Sequence, residues 1–228
     1  MPAMLSFTEK EKIVRFISEN DVKILNLCHI PEDGRLKTLS FTAMDREKVY
    51  EILELGERVD GSNLFSSVEP GKSDIYITPR LDRVFMNPFS KVPTLNILSE
   101  YLDENGKPLG VAPRSVLARA EEKLRSSSGI VLKALAELEF YIISKQKTET
   151  LFPGAPDRNY HESAPFTNFE DLRNEVLVTL ANVGIATKYG HSEVGQISGK
   201  DDTFMEQQEV EFIPQNLAEM AETITIAK

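Results

Sequence analysis

Between residues 131 and 143 every even position is apolar (Leu132, Ala134, Ala136, Leu138, Phe140, Ile142), a period-two pattern that predicts a strand with one face on a core. Glu137 and Glu139 interrupt that run two residues apart, so their carboxylates share the other face. The rise between them is roughly 6.6 to 6.8 Å. Their neighbours on that face, Leu135 and Tyr141, are not solvating residues. Two carboxylates held in this way repel each other unless they share a proton or a cation. The competing reading is a strand whose outer face happens to be acidic, and the rest of the chain bears on the choice.

Composition narrows the chemistry. A formal charge of -10 over 228 residues argues against nucleic acid or an anionic membrane as the main partner, because both are bound through clustered Lys and Arg. No apolar run approaches the roughly 20 residues of a membrane span, and the amino terminus lacks a charged-then-apolar signal, so a cytoplasmic protein is expected. Cys28 is the single cysteine, which excludes an internal disulfide and, with three histidines, a thiolate zinc site. Its apolar surroundings mark it as a small core residue. Any metal site must be built mainly from carboxylates, which favours hard ions such as Mg2+ or Mn2+.

Taken in order, the chain predicts a small α+β module first. Thr8 and Glu11 fit a capping box ahead of a helix with the stripe Ile13, Val14 and Ile17, ending near Asn20. Apolar runs at 22–30 and 36–42, separated by Pro31-Glu32-Asp33-Gly34, predict a hairpin. A second helix over 44–55 stops at Gly56. Asp60-Gly61 reads as a turn, and 73–79 as a short strand entered from Asp74. Pieces broken by Pro88, Pro93 and Pro108 follow, and a domain boundary is expected near 106–112. Pro113 opens a helix with Val116, Leu117, Ala120 and Leu124 on one face, ended by the serines before Gly129.

After the acidic strand, 145–167 reads as a long polar loop holding Tyr160 and His161, and loops of that length are often functional. Thr167 and Glu170 suggest another capping box, before a helix carrying Leu172, Val176, Leu180 and Val183 and closed by Gly184. Strand spacing resumes in 185–194, with Thr187, Tyr189, His191 and Glu193 on one face. It returns in 205–213, with Gln207, Glu209 and Glu211 on one face. Ser198-Gly199-Lys200-Asp201-Asp202 is a turn between them. A hairpin centred near Asp201 puts Glu193 opposite Glu209, where like charges are destabilising. Acids are thus placed twice where a cation would relieve them, against the plainer reading of a solvated acidic hairpin.

From about residue 59 to 228, ordered motifs resemble the amino-terminal part of a glutamine synthetase: Asp60-Gly61-Ser62, Ser73-Asp74, Pro113-Arg114, Glu137-Leu138-Glu139-Phe140, Gly190-His191-Ser192-Glu193-Val194 and Glu206-Gln207-Gln208-Glu209-Val210. Each is weak alone; their order and spacing are specific. The resemblance implies a β-grasp amino-terminal domain over 1–108 and a partial catalytic domain over 109–228, with an antiparallel sheet and flanking helices. It also implies two divalent ions, Mg2+ or Mn2+, and ATP-dependent joining of ammonium to glutamate through a γ-glutamyl phosphate. By motif match Glu139, Glu193 and Glu209 resemble the ligands of the metal nearer glutamate, and Glu137 a ligand of the metal nearer the nucleotide. Asp60 and Asp74 match acids that in the family reach a neighbouring subunit's site and help bind and deprotonate ammonium, which implies a homo-oligomer with shared sites.

Two departures qualify the resemblance. Ser192 replaces the second histidine of the family's His-His-Glu segment, so no role carries over to position 192. The spacing between Glu193 and Glu209 is longer than in the common bacterial form. The family's remaining metal, glutamate and nucleotide motifs have no match here, so an incomplete chain, inactive alone and poorly soluble, is expected. The alternatives are a non-catalytic subunit that only assembles with full-length chains, and a γ-glutamyl ligase acting on another amine. A phosphohydrolase built on the same acids lacks a nucleophile or a basic phosphate clamp.

Overall fold

The computed structural model describes residues 5–145, 155–200 and 203–228. Its first half is one five-stranded sheet with two helices against it. Helix α1 (Lys10–Glu19) buries Ile13, Val14 and Ile17 and ends at Asn20. The expected capping box does not form: Glu9 is the N-cap and makes no side-chain cap bond, while the Thr8 hydroxyl accepts from Lys12 Nζ at 2.9 Å. Strands β1 (Ile24–His29) and β2 (Lys37–Thr42) are the expected hairpin. Helix α2 (Arg46–Leu55) is capped by Asp45, whose carboxylate accepts the Glu47 and Lys48 N–H groups. Gly56 ends it at φ 71°, with a Cβ there blocked by the Ile77 carbonyl.

Strand β3 (Glu57–Asp60) pairs with β4 (Asp74–Met86), which pairs in turn with β5 (Thr94–Leu102). The sheet order is β2-β1-β5-β4-β3, antiparallel except for the parallel β1–β5 pair. The short strand expected over 73–79 runs through Pro79 to Met86, with a register shift between Pro79 and Val84. Proline has no N–H for the ladder, and an irregularity just after it frees Arg80 and Arg83 from regular pairing. Both reach the carboxyl-terminal helix. Cys28 is fully buried in this core, which pushes its thiol up to about 12 and leaves it an inert packing residue.

Helix α3 (Pro113–Ser128) ends at the left-handed Gly129 as expected, but none of its residues is buried. Leu117 and Ala118, among mostly polar and charged residues of the helix, border a cavity of about 940 Å³ shared with β5 and the last helix. The strand expected over 131–143 is two pieces: β6 (Lys133–Ala134) turns away, and β7 (Glu137–Lys145) carries the acids. Helix α4 (Glu170–Asn182) starts from Phe169 without a side-chain cap. The predicted capping pair is engaged elsewhere, Thr167 donating to Glu206 and Glu170 accepting the Ala164 N–H at 2.8 Å. Leu172, expected on the apolar face, is exposed, while Arg173 is buried.

Strands β8 (Thr187–Ser198) and β9 (Thr203–Phe212) complete a three-stranded antiparallel sheet in the order β7-β9-β8. Asp201 and Asp202, the expected centre of the turn, lie outside the described residues. Strand β10 (Gln215–Asn216) pairs with β6 and leads into α5 (Leu217–Ala227). A second core of Leu180, Val183, Ile185, Val210, Phe212 and Met220 takes in Phe85 from β4, so the two sheets are joined through shared apolar packing. A charged cluster adds to the junction. Glu222 of α5, half of its carboxylate buried without a hydrogen bond among the described residues, sits among Arg80, Arg83 and Arg114.

Candidate metal centre

Central strand β9 sets the geometry. Glu137 pairs with Glu211 and Glu139 with Glu209 on one side; Tyr189 pairs with Glu211 and His191 with Glu209 on the other. Residues two apart on a strand share a face, and directly opposed pairs stand about 4.5–5.5 Å apart at Cβ. One face of the sheet therefore carries the row Glu137-Glu211-Tyr189 and, next to it, the row Glu139-Glu209-His191. Leu138 and Val210 hold the other face on the second core.

The expected pairing of Glu193 with Glu209 is corrected by a bulge. At the hairpin tip Gln196 pairs with Glu206, the register of a hairpin centred on residue 201; nearer the base Ser192 pairs with Gln208, two residues out of that register. Residues 193–195 together oppose Gln207, and His191 takes the place opposite Glu209. Glu193 still arrives at the site from within the bulge. One oxygen or nitrogen each from His191, Glu193 and Glu209 lie within 4.8 Å of one another, and the same holds for Glu137, Glu209 and Glu211. Glu209 belongs to both groups.

The site is strongly acidic, with Glu209 and Glu211 buried and Glu137 and Glu139 exposed. Glu209 is 6% exposed, and burial, then its contact with Glu193, pushes its carboxyl up to about 7. Glu211, also buried, is held below the ordinary carboxylate range by the Lys188 ammonium, 2.6 Å away, and by Tyr189. His191 Nδ1 lies 2.9 Å from the Ser192 carbonyl and must carry its proton to bond there. That turns Nε2 towards Glu209, 3.7 Å away. Carboxylates with one imidazole suit a divalent cation, and a buried acid held up to about 7 is what an adjacent cation would relieve.

Glu139, Asp60 and Asp74 lie outside the two close groups. Glu139 shares a row with Glu209, but its Oε2 accepts from Gln207 Nε2 at 2.7 Å and it belongs to neither close group. Asp60 and Asp74 oppose each other on β3 and β4, in the five-stranded sheet. Asp60 caps the turn 61–63, with Ser62 Oγ and Asn63 Nδ2 each at 2.7 Å, and its carboxyl is held low by the Ser62 and Ser73 hydroxyls. Asp74 pairs with Arg58 at 2.8 Å. Residues 146–154 of the long polar loop lie outside the described residues, but its later part meets the site: His161 lies 4.2 Å from the His191 ring, centroid to centroid, and stacks on Tyr160 at 4.1 Å. Asn159 of that loop donates to the carbonyls of Glu193 and Val194. His191 and Glu211 as members of the acid groups were legible only through their shared parity with Glu193 and Glu209.

Residues 110–228 match the family model described as the glutamine synthetase catalytic domain. The chain belongs to the glutamine synthetase family. Glutamine synthetases of Methanococcus maripaludis and Thermotoga maritima are 26% and 28% identical to it over 192 and 202 residues, covering 82% and 86% of this chain but 43% and 45% of theirs. The chain spans about half the length of the curated relatives it matches. In fold it is similar to a glutamine synthetase of Plasmodium falciparum solved by electron cryomicroscopy, with a TM-score of 0.76, 17% identity and coverage of 99% of this chain and 48% of that one. The ligand-free protein GmaS is similar at a TM-score of 0.67 and 12% identity, over 95% and 49% of the two chains. These likenesses support the mixed α+β architecture. Among the described residues no helix is long and apolar enough to cross a membrane.

Proposed function

We propose that this chain is the amino-terminal part of a ligase that uses ATP to join ammonium to glutamate through a γ-glutamyl phosphate, and that the acidic face of β7-β9-β8 holds its divalent cations. The observation that carries the reading is the convergence of Glu193 and Glu209, with His191, on a buried carboxyl pushed up to about 7. Glu193 and Glu209 would hold one Mg2+ or Mn2+, joined by Glu139, the cross-strand neighbour of Glu209. Glu137 would serve a second ion. Such ions supply neutralisation of charge on phosphates and on the attacking carboxylate. The chain's own part is to gather the acids on one sheet face, bury Glu209, and turn His191 Nε2 towards it.

On this reading residues 1–108 form the β-grasp domain and 109–228 the catalytic part, and Asp60 and Asp74 serve the ammonium side of a neighbouring subunit's site in a homo-oligomer. Their exposure and their place away from the chain's own acid groups fit that role. Titration of Mn2+ into the 228-residue chain tests the reading: binding is expected, and its loss in Glu193→Ala and Glu209→Ala. An unmodified chain that binds no Mn2+ at millimolar concentration refutes it.

A further inference from the structure

Gln207 stands on β9 in the row next to Glu209, and its amide bonds to both flanking strands. Nε2 donates to Glu139 Oε2 of β7 at 2.7 Å. Oε1 accepts the Gly195 N–H of the β8 bulge at 3.1 Å and the Tyr141 hydroxyl of β7 at 3.3 Å. Residues 193–195 have no partners in the ladder, so the backbone that carries Glu193 needs other anchors. Asn159 holds the Glu193 and Val194 carbonyls from the loop, and Gln207 holds the Gly195 end. The approach is close enough that a Cβ on Gly195 would overlap the Tyr141 hydroxyl and the Gln207 amide oxygen.

We propose that Gln207 is a positioning residue that fixes the Glu193 bulge to Glu139 and so sets the two sides of the cation site relative to each other, an inference that rests on the cation-binding reading. Opposite a carboxylate at 139 an amide suits the position, because it donates to that carboxylate and accepts from a backbone N–H with one side chain. A carboxylate there would face Glu139 with a second set of lone pairs. The donated bond holds the Glu139 carboxylate on the face it shares with Glu209, its direct cross-strand neighbour.

Hydrogen exchange at the Gly195 amide, read by 15N-edited NMR of the metal-free chain, follows this link without any cation. Gln207→Met is expected to speed that exchange about fivefold or more and to weaken Mn2+ binding by roughly 10–100-fold, the range for losing a bond behind a metal ligand. The double variant Glu139→Gln/Gln207→Glu rebuilds the bond with donor and acceptor exchanged, and is expected to return Gly195 exchange to about its original rate. Unchanged exchange in Gln207→Met, unchanged Mn2+ affinity in that variant, or fast exchange in the double variant each overturn the proposal. If Gln207→Met does not fold, the double variant decides. If the unmodified chain binds no Mn2+, the cation-binding reading fails, and with it the role in the cation site; Gly195 exchange then reports only whether the structural link exists.

Discussion

Glu209 gives the sharpest test of the site, because it stabilises binding at the expense of the metal-free fold. Its carboxyl holds a proton more tightly in the folded state, at about 7 against an ordinary 4.5. The metal-free fold is therefore favoured most below about pH 4.5 and loses stability as pH rises towards 7. That gap corresponds to roughly 3 kcal/mol, and solvent at the open side of the sheet screens it to about 1–2 kcal/mol. Glu209→Gln keeps the shape and removes the ionisation. In EDTA at pH 8 the variant is expected to be about 1–2 kcal/mol more stable to urea than the parent, with the difference shrinking towards pH 5. Added Mn2+ at pH 8 should stabilise the parent and not the variant. Parallel stability curves for the two proteins between pH 5 and 8 would show that Glu209 is not held as described.

Three further outcomes are expected. His191→Ala and Glu193→Ala should weaken Mn2+ by about tenfold or more in calorimetry, whereas His161→Ala, which touches the His191 ring but neither acid group, should leave the affinity within about twofold; equal losses in all three would mean the ligands are misassigned. Glu222→Ala leaves Arg80, Arg83 and Arg114 around an empty position and should cost about 3–5 kcal/mol in thermal unfolding, so a loss under about 1 kcal/mol would remove Glu222 as the tie between the sheets. His29, held down to about 4 by burial and then by Lys37, stays neutral beside Tyr101, so stability should fall as pH drops from about 6.5 towards 4; His29→Gln should flatten that slope in urea titrations, and an unchanged slope would place the titration elsewhere.

Alternation and turn residues made the β1–β2 hairpin, α1, α2 and the Gly129 helix end legible before any coordinates, because each rests on local chemistry. Capping was read less well for the same reason. Thr8 and Thr167 have the right side chain at the right spacing, yet Thr167 finds a buried carboxylate, Glu206, that no local pattern announces. Arg173 is a similar case: a charged residue on α4 is buried because Ser192 and Gln208, both on the sheet face turned to the helix, accept from its guanidinium at 3.0 and 2.7 Å. Tertiary partners override a helical stripe wherever a buried polar group must be satisfied.

The acid face survived an error of register because of the size of that error. A one-residue slip in β8 would have sent Glu193 to the side of Ser192 and Arg173. The bulge opposes three residues to one, so it inserts two, and an even insertion returns the alternation to its original phase. Glu193 stays with Glu209 although it no longer faces it, and His191 gains the opposing place. The feature that could have marked the insertion is Gly195, the one position in the bulge without a side chain, where Tyr141 and Gln207 come too near for a Cβ. Parity, then, carried the choice of residues, while the bulge decides which of them meet. Gly195→Ala should accordingly disturb the geometry of the site without moving any acid to the other face. Weakened Mn2+ binding together with intact β-sheet circular dichroism is the expected signature, and unimpaired binding would mean that the bulge does not need the contact.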